Sequence, residues 1–379
     1  MKIALLLIAL VFFISCGGDK AKDSSGSKVV DPTTTPRPPI EDTQRVFSCP
    51  TDTYMKYSWH LHTLNNAFAK NYEILPNSDI NISAAWQVTR GEGIKIAVID
   101  ANFEVGHEDI KDNIIDYYNV DNRNRDVSNK TDDPSHGTSC AGFASATING
   151  KGTVGSAPES KLILIALWED ESDSATIYAF EYAKNHGAKV ISCSWGTENV
   201  SEAVASEIES LYKDGIVVLF AVGNNSQNLD AWWINDESEL PWVIGVGASN
   251  EKREVGFYSN YGKEVDILAP GGNIFESAGL VGLDDSGEKG NSGAQRGILN
   301  NNYAFVNGTS FSTPLASGVA ALILSANPSL SPKEVRSILI KSADKIGDGN
   351  YNENGFDMRR AYGKINAGKA VNIAKALSH

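Results

Sequence analysis

"IKIAVID", residues 94–100, is almost continuously apolar and β-branched and ends on a carboxylate. A strand with one wet face alternates apolar and polar residues; a run without alternation belongs to a strand covered on both faces. The signature recurs in "KLILIAL" at 161–167, "KVISCSW" at 189–195, "IVVLFAVG" at 216–223, "PWVIGVGA" at 241–248 and "EVDILAP" at 264–270. Between these runs, "DSATIYAFEYAKNHG" at 173–187 and "SEAVASEIESLYKDG" at 201–215 read as amphipathic helices ending in glycine. Strand–helix–strand alternation implies an α/β fold, a doubly wound, mostly parallel sheet with helices on both faces. Such sheets place ligands at the carboxyl ends of their strands. Further along, "FSTPLASGVAALILSAN" at 311–327 is apolar on nearly all sides and belongs inside the protein. In "SPKEVRSILIKSA", Ser331 is expected as N-cap, Pro332 at the first helical position and Glu334 completing a capping box. No internal repeat and no second folded domain is visible, so residues 46–379 read as a single catalytic domain.

The 379 residues carry a net charge of −14. That excludes nucleic-acid binding of the usual electrostatic kind, which needs basic surface. It favours solubility and, weakly, cationic substrates. Residues 1–15 hold a lysine and then "IALLLIALVFFI". This run is shorter than the ~20 residues of a spanning helix and reads as a signal peptide. Ser15, Cys16 and the following "GG" resemble the lipobox of bacterial lipoproteins, in which the cysteine is lipidated. The other reading is an ordinary secretory signal with an incidental cysteine. Residues 16–45 contain no aromatic, are rich in proline, serine and threonine, and are expected as a flexible tether spanning roughly 30 Å. Export to the periplasmic or cell-surface side, with a lipid anchor in the membrane, follows as an expectation. The tether is too short for a folded propeptide of the kind many secreted proteases carry.

Chemistry is suggested at three element ends. Asp100 closes the first strand; His136 opens "HGTSCAGFASATI", a small-residue run that reads as a tightly packed helix; Ser310 stands where the buried helix begins. Read alone, Ser310 is a helix cap. A serine needs a base to become a nucleophile, histidine is the usual base, and a buried carboxylate orients it. Asn224, after a strand and a glycine in "FAVGNN", has an amide that suits an oxyanion hole, and the strand end "SWG", Ser194–Gly196, is an edge with which peptide main chain could pair.

"AVID", "HGTSCAG", "AVGN" and "GTSFSTP" together resemble the motifs of the subtilisin-like serine proteases, the subtilases. "YSWHLHTLNNA", "GHEDI", "YSNYGKEVDILAPGG" and "YGKINAGKAV" fall in register with other segments of that family, from about residue 50 onward. The resemblance implies a serine endopeptidase acting on polypeptides. It implies Ser310 as nucleophile, His136 as general base then acid, and Asp100 as its orienting carboxylate. Asn224 with the Ser310 N–H forms the oxyanion hole, and Ser194, Trp195 and Gly196 form the substrate-binding strand. No cofactor is implied for the chemistry and no metal ligand is assigned; structural Ca²⁺ occurs in many members. A monomer is expected. A binding-only scaffold is disfavoured because all four chemical residues are present. An α/β-hydrolase esterase is disfavoured because Ser310 lacks the Gly-x-Ser-x-Gly setting.

Ala101 and Asn102 depart from the family, which has Ser or Thr and then Gly; Asn102 is expected to take a left-handed backbone in place of that glycine. His60, His62, His107, His186 and His379 are read as surface or structural. With Cys16 lipidated, Cys49, Cys140 and Cys193 leave one thiol unpaired. Cys140 and Cys193 are either small buried hydrophobes, a thiol-sensitive pair near the active centre, or a disulfide. In "NVDNRNRDVSNKTDDPSHGT", Asp121, Asp126, Asp132 and Asp133 either hold Ca²⁺ or form a solvated acidic loop. Trp232 and Trp233 either wall the specificity pocket or pack under the Asn224 loop. Residues 279–303 are Gly-rich and expected as a mobile loop beside the cleft, a candidate substrate gate.

Overall fold

A computed structural model of the chain describes residues 49–128, 133, 135–170, 172–231, 234–287, 290 and 299–378. The signal peptide, Cys16, the tether, Asp132, Trp232, Trp233, His379 and 291–298 lie outside the described residues.

Seven parallel strands form the main sheet: β1 (Lys95–Asp100), β2 (Ile114–Asn119), β3 (Lys161–Ala166), β4 (Val190–Cys193), β5 (Val217–Ala221), β6 (Val243–Ser249) and β7 (Val265–Pro270). Their order is β2-β3-β1-β4-β5-β6-β7. Two short helices, α1 (Ala67–Asn71) and α2 (Ile82–Ala85), precede the sheet. They are followed by α3 (His136–Ser145), α4 (Asp173–Asn185), α5 (Glu202–Lys213), α6 (Thr309–Ala326), α7 (Pro332–Ser342) and α8 (Ala367–Ala376).

The unalternating strands are explained by what covers them. In β1, Ile96 and Val98 join one core with α3, α6 and α8, while Ala97 and Ile99 join another with Ala179, Phe180 and Ala183 of α4 and Ile208 of α5. Successive side chains therefore enter opposite apolar layers, and neither face needs polar residues. α4 and α5 are capped by Ser172 and Ser201. The chain leaves them through Gly187 and Gly215 at φ +83° and +79°, a left-handed exit that glycine permits. The capping box on α7 is present, with Ser331 accepting from Glu334 N and Glu334 bonding back to Ser331 N.

Two segments differ from the sequence reading. Residues 279–303 are not a loop throughout: their start forms β8 (Leu280–Leu283), which pairs antiparallel with β9 (Tyr303–Val306). Leu283 packs so closely on α3 that a Cβ on Gly142 would lie 2.5 Å from it. Burial of Leu280, Val281 and Leu283 anchors this hairpin despite the glycines around it. β2 departs from the unalternating apolar pattern, since "IIDYYN" carries a carboxylate and most of its side chains stay partly exposed. It is one of the two edge strands of the sheet.

Candidate active site

The strand order puts β1 between β3 and β4, so the chain winds to one side of β1 and later to the other. A crevice opens at the carboxyl end of such a strand. Asp100 is the last residue of β1, Ser194 follows β4, and Asn224 lies just beyond β5.

Asp100 is 3 % exposed. Its Oδ1 accepts from Ala101 N at 2.8 Å and from His136 Nδ1 at 2.8 Å. An ionised carboxylate only accepts, so His136 donates through Nδ1 and leaves Nε2 as the basic nitrogen. Burial alone would pull the His136 pKa down; the Asp100 charge, the Cys140 sulfur and the hydrogen bonds to both outweigh it and hold the pKa well above the usual histidine value. The next residue has to be glycine. A Cβ on Gly137 would stand 2.1 Å from Asn102 O and 3.1 Å from the Asp100 Cβ, so the helix start is pressed directly onto the strand end. Asn102 is not left-handed, contrary to expectation. Its side-chain amide instead donates to Asp133 O at 3.3 Å.

Ser310 is not the cap of α6. Gly308 is, at φ +142°, and Ser310 occupies the second helical position. Pro314 explains the serine's surroundings. In a helix, the N–H of residue 314 would donate to the carbonyl of residue 310, and proline has none. Two side chains take over: Ser194 Oγ donates to Ser310 O at 2.7 Å and Cys140 Sγ at 3.4 Å. Cys140 Sγ is also 3.9 Å from His136 Nδ1, so one sulfur touches both halves of the centre. The Ser310 hydroxyl donates to Ser194 O at 3.3 Å, a long bond.

Asn224 Oδ1 accepts from Thr309 N at 2.9 Å and from Thr309 Oγ1 at 3.0 Å. A backbone N–H can only donate, so this contact fixes which amide atom is oxygen and leaves Nδ2 as a donor with no acceptor among the described residues. A Cβ built on Gly308 would stand 3.6 Å from Nδ2. A side-chain donor and a helix N-terminus thus meet beside Ser310.

The Subtilase family model matches residues 91–363. The chain belongs to the subtilase family. It is 36 % identical over 339 residues to a protein of Nostoc sp. named calcium-dependent protease, covering 78 % of this chain and 48 % of the relative. It is 31 % identical over 316 residues to the thermophilic serine proteinase of a Bacillus species, covering 82 % of this chain and 69 % of the relative. A solved protease from Pseudoalteromonas arctica superposes with a TM-score of 0.71 at 25 % identity, covering 86 % of this chain and all of that one. The chain spans about half the length of the first curated relatives it matches.

The remaining residues of this subtilase can now be placed. Trp195 lines the crevice beside His136 while its indole is anchored on the sheet: Nε1 donates to Ile99 O at 2.9 Å and the ring packs on Phe180 and Phe220. Cys140 and Cys193 are buried free thiols, not a disulfide. Among the described residues, Asp121, Asp126 and Asp133 do not form a carboxylate cluster. Asp121 accepts from Trp168 N and Asp170 N of the segment after β3, and Asp126 from Ser128 within its own turn. One contributor was missed. Trp168, 54 % exposed, lines a groove of about 390 Å³ with His136, Leu167 and Ser194. Its place directly after "KLILIAL", at a strand's carboxyl end, was the available signal.

Proposed function

We propose that this chain is a serine endopeptidase that hydrolyses polypeptides through an acyl-enzyme on Ser310. The observation that carries the proposal is the His136 Nδ1–Asp100 Oδ1 bond of 2.8 Å, which sets His136 Nε2 as a base beside a helix N-terminus bearing a serine. Ser310 Oγ attacks the scissile carbonyl carbon while its proton passes to His136 Nε2. The oxyanion is received by Asn224 Nδ2 and the Ser310 N–H. His136 then protonates the leaving amine as the C–N bond breaks, and water repeats the sequence to release the acid. Substrate main chain would lie along Ser194–Gly196. The test is digestion of a denatured protein mixture, with fragments sequenced by mass spectrometry. Cleavage that vanishes in Ser310→Ala supports the proposal; equal fragments from both proteins refute it.

The proposal extends to the membrane. The lipobox-like "SCGG" supports lipidation of Cys16 and display on the extracytoplasmic side. Metabolic labelling with palmitate that disappears in Cys16→Ser would support it, and unlabelled wild type would refute it. Calcium is a separate part of the same proposal. Asn149 links two acids, donating its N–H to Asp52 Oδ1 and its side-chain amide to Asp109 Oδ1. Burial raises the pKa of both, and Asp52 Oδ2 is buried without a donor among the described residues, which suits a hard cation. Chelation with EGTA is expected to lower the thermal midpoint of the wild type and not of Asp52→Asn; no shift in the wild type refutes it.

A further inference from the structure

A cavity of about 210 Å³ opens between Ser194–Gly196 and the segment Ala221–Asn225, with Ser310 and Asn224 at its mouth. A carbonyl seated between Ser310 Oγ and Asn224 Nδ2 directs the side chain of its own residue into this cavity. Among the described lining residues only two are charged, Glu198 and Asp236, and both are acids. We infer that Asp236 and Glu198 make this a cation pocket, selecting lysine or arginine on the acyl side of the scissile bond. The inference rests on the peptidase proposal and names its substrate class.

Asp236 is 6 % exposed and lies against the binding strand itself. A Cβ on Gly196 would stand 2.4 Å from Asp236 Oδ2, so only glycine lets the carboxylate approach this edge. Its oxygens accept from Ser238 N at 2.9 Å and Glu198 N at 3.2 Å. An ionised carboxylate has about four acceptor positions, so lone pairs remain for a guest. Glu198 takes a left-handed backbone, φ +57°, and Asn225 Nδ2 donates to its Oε1 at 3.4 Å across the pocket. No lysine or arginine pairs with either acid among the described residues. A third acid, Glu237, is already engaged, holding Thr197 N and Thr197 Oγ1. A nearly buried carboxylate without a countercharge is costly, and a cationic guest relieves it. Ala221, Val222 and Leu229 supply apolar wall for the methylenes of a lysine or arginine stem.

The test uses the full chain and peptide amides identical except for Arg, Lys, Gln, Phe, Leu or Glu before the scissile bond. Active enzyme is counted by fluorophosphonate labelling of Ser310. The expected kcat/KM for Arg and Lys is at least about tenfold above Phe and Leu, with Glu lowest. Asp236→Asn, which keeps a helix-capping side chain, is expected to reduce the Arg-to-Phe ratio at least about tenfold, and Glu198→Gln to reduce it less. Benzamidine, an amidinium, is expected to slow labelling of the wild type competitively, a readout that needs no variant. Labelling with a neutral preference, or an unchanged ratio in Asp236→Asn, overturns this inference alone. Absence of labelling and of cleavage of every peptide overturns the peptidase proposal and this inference with it.

Discussion

Removing the Ser194 hydroxyl tests whether Pro314 shapes the start of the helix that carries Ser310. Pro314 denies the Ser310 carbonyl its helical donor, and Ser194 Oγ at 2.7 Å is the stronger of the two replacements. Ser194→Ala leaves only the Cys140 thiol, a weak donor at 3.4 Å. A buried acceptor left under-satisfied costs about 1–3 kcal/mol, and the thiol offsets part of that, so a loss of roughly 1–2 kcal/mol is expected. Pro314→Ala restores a backbone N–H to the same carbonyl, although its buried ring is lost. In that background Ser194→Ala is expected to cost less, by about 1 kcal/mol, which exceeds the ~0.3–0.5 kcal/mol error of additivity for independent sites. All four proteins should also carry Ser310→Ala, so that self-digestion does not intrude; the carbonyl in question is untouched. Guanidinium unfolding monitored by fluorescence reads the four stabilities. Additive losses would show that Ser194 does not stand in for the missing N–H, and the explanation would fall.

Three further outcomes follow from buried groups. In the wild type the acid limb of kcat/KM should have its midpoint above pH 6.5, because the Asp100 charge outweighs burial at His136. Asp100→Asn should move that midpoint down and lower kcat by about 10⁴-fold; an unmoved limb would mean another group titrates. The same raised pKa stabilises the fold fully below pH 6.5, and this contribution is lost as pH rises through the folded-state value. His60 works in the opposite sense. It is fully buried, neither ring nitrogen has a partner among the described residues, and burial drives its pKa down to about 3. The unfolded chain therefore takes the proton first, and stability falls from pH 6.5 toward pH 3 by up to ~1.4 kcal/mol per unit. His60→Leu should flatten that slope, as read by urea unfolding across the range, and an equally steep profile would count against it. Burial lifts the Cys140 thiol to about 11 and Cys193 well above the ordinary value. Iodoacetamide at pH 7 should label both only after denaturation; rapid labelling of the native protein would show that the helix α3 breathes.

The parts of the fold that could be read in advance are those where one residue type has one physical use. β-branched runs without alternation made strands of the doubly buried sheet, and Ser331, Pro332 and Glu334 marked a helix start. β2 escaped because an edge strand tolerates Asp116 and tyrosines, which resemble any half-exposed segment. β8 escaped because its glycines suggest a turn, whereas Gly282 sits where a Cβ would be 2.3 Å from Ser139 Oγ. At the site, Asp100, His136, Asn224 and Ser310 were legible because each stands at an element end in its own motif. The role of Ser194 was legible only as an edge: its hydroxyl contact depends on a proline 120 residues later. Asp236 could not be foreseen, since it reaches Gly196 through packing between distant segments and carries no local signature. Among the described acids at 119–133, Asp126 closes its own turn and Asp121 holds the backbone of Trp168 and Asp170 instead of meeting the others.

The central claim is that Asp100, His136 and Ser310 work as one unit. The most direct measurement is the rate at which a fluorophosphonate forms an adduct on the folded full chain, located by mass spectrometry, for the wild type, His136→Ala and Asp100→Asn. The account predicts a single adduct at Ser310, formed at least about 100-fold more slowly in both variants. An adduct elsewhere, or equal rates in all three proteins, would contradict it.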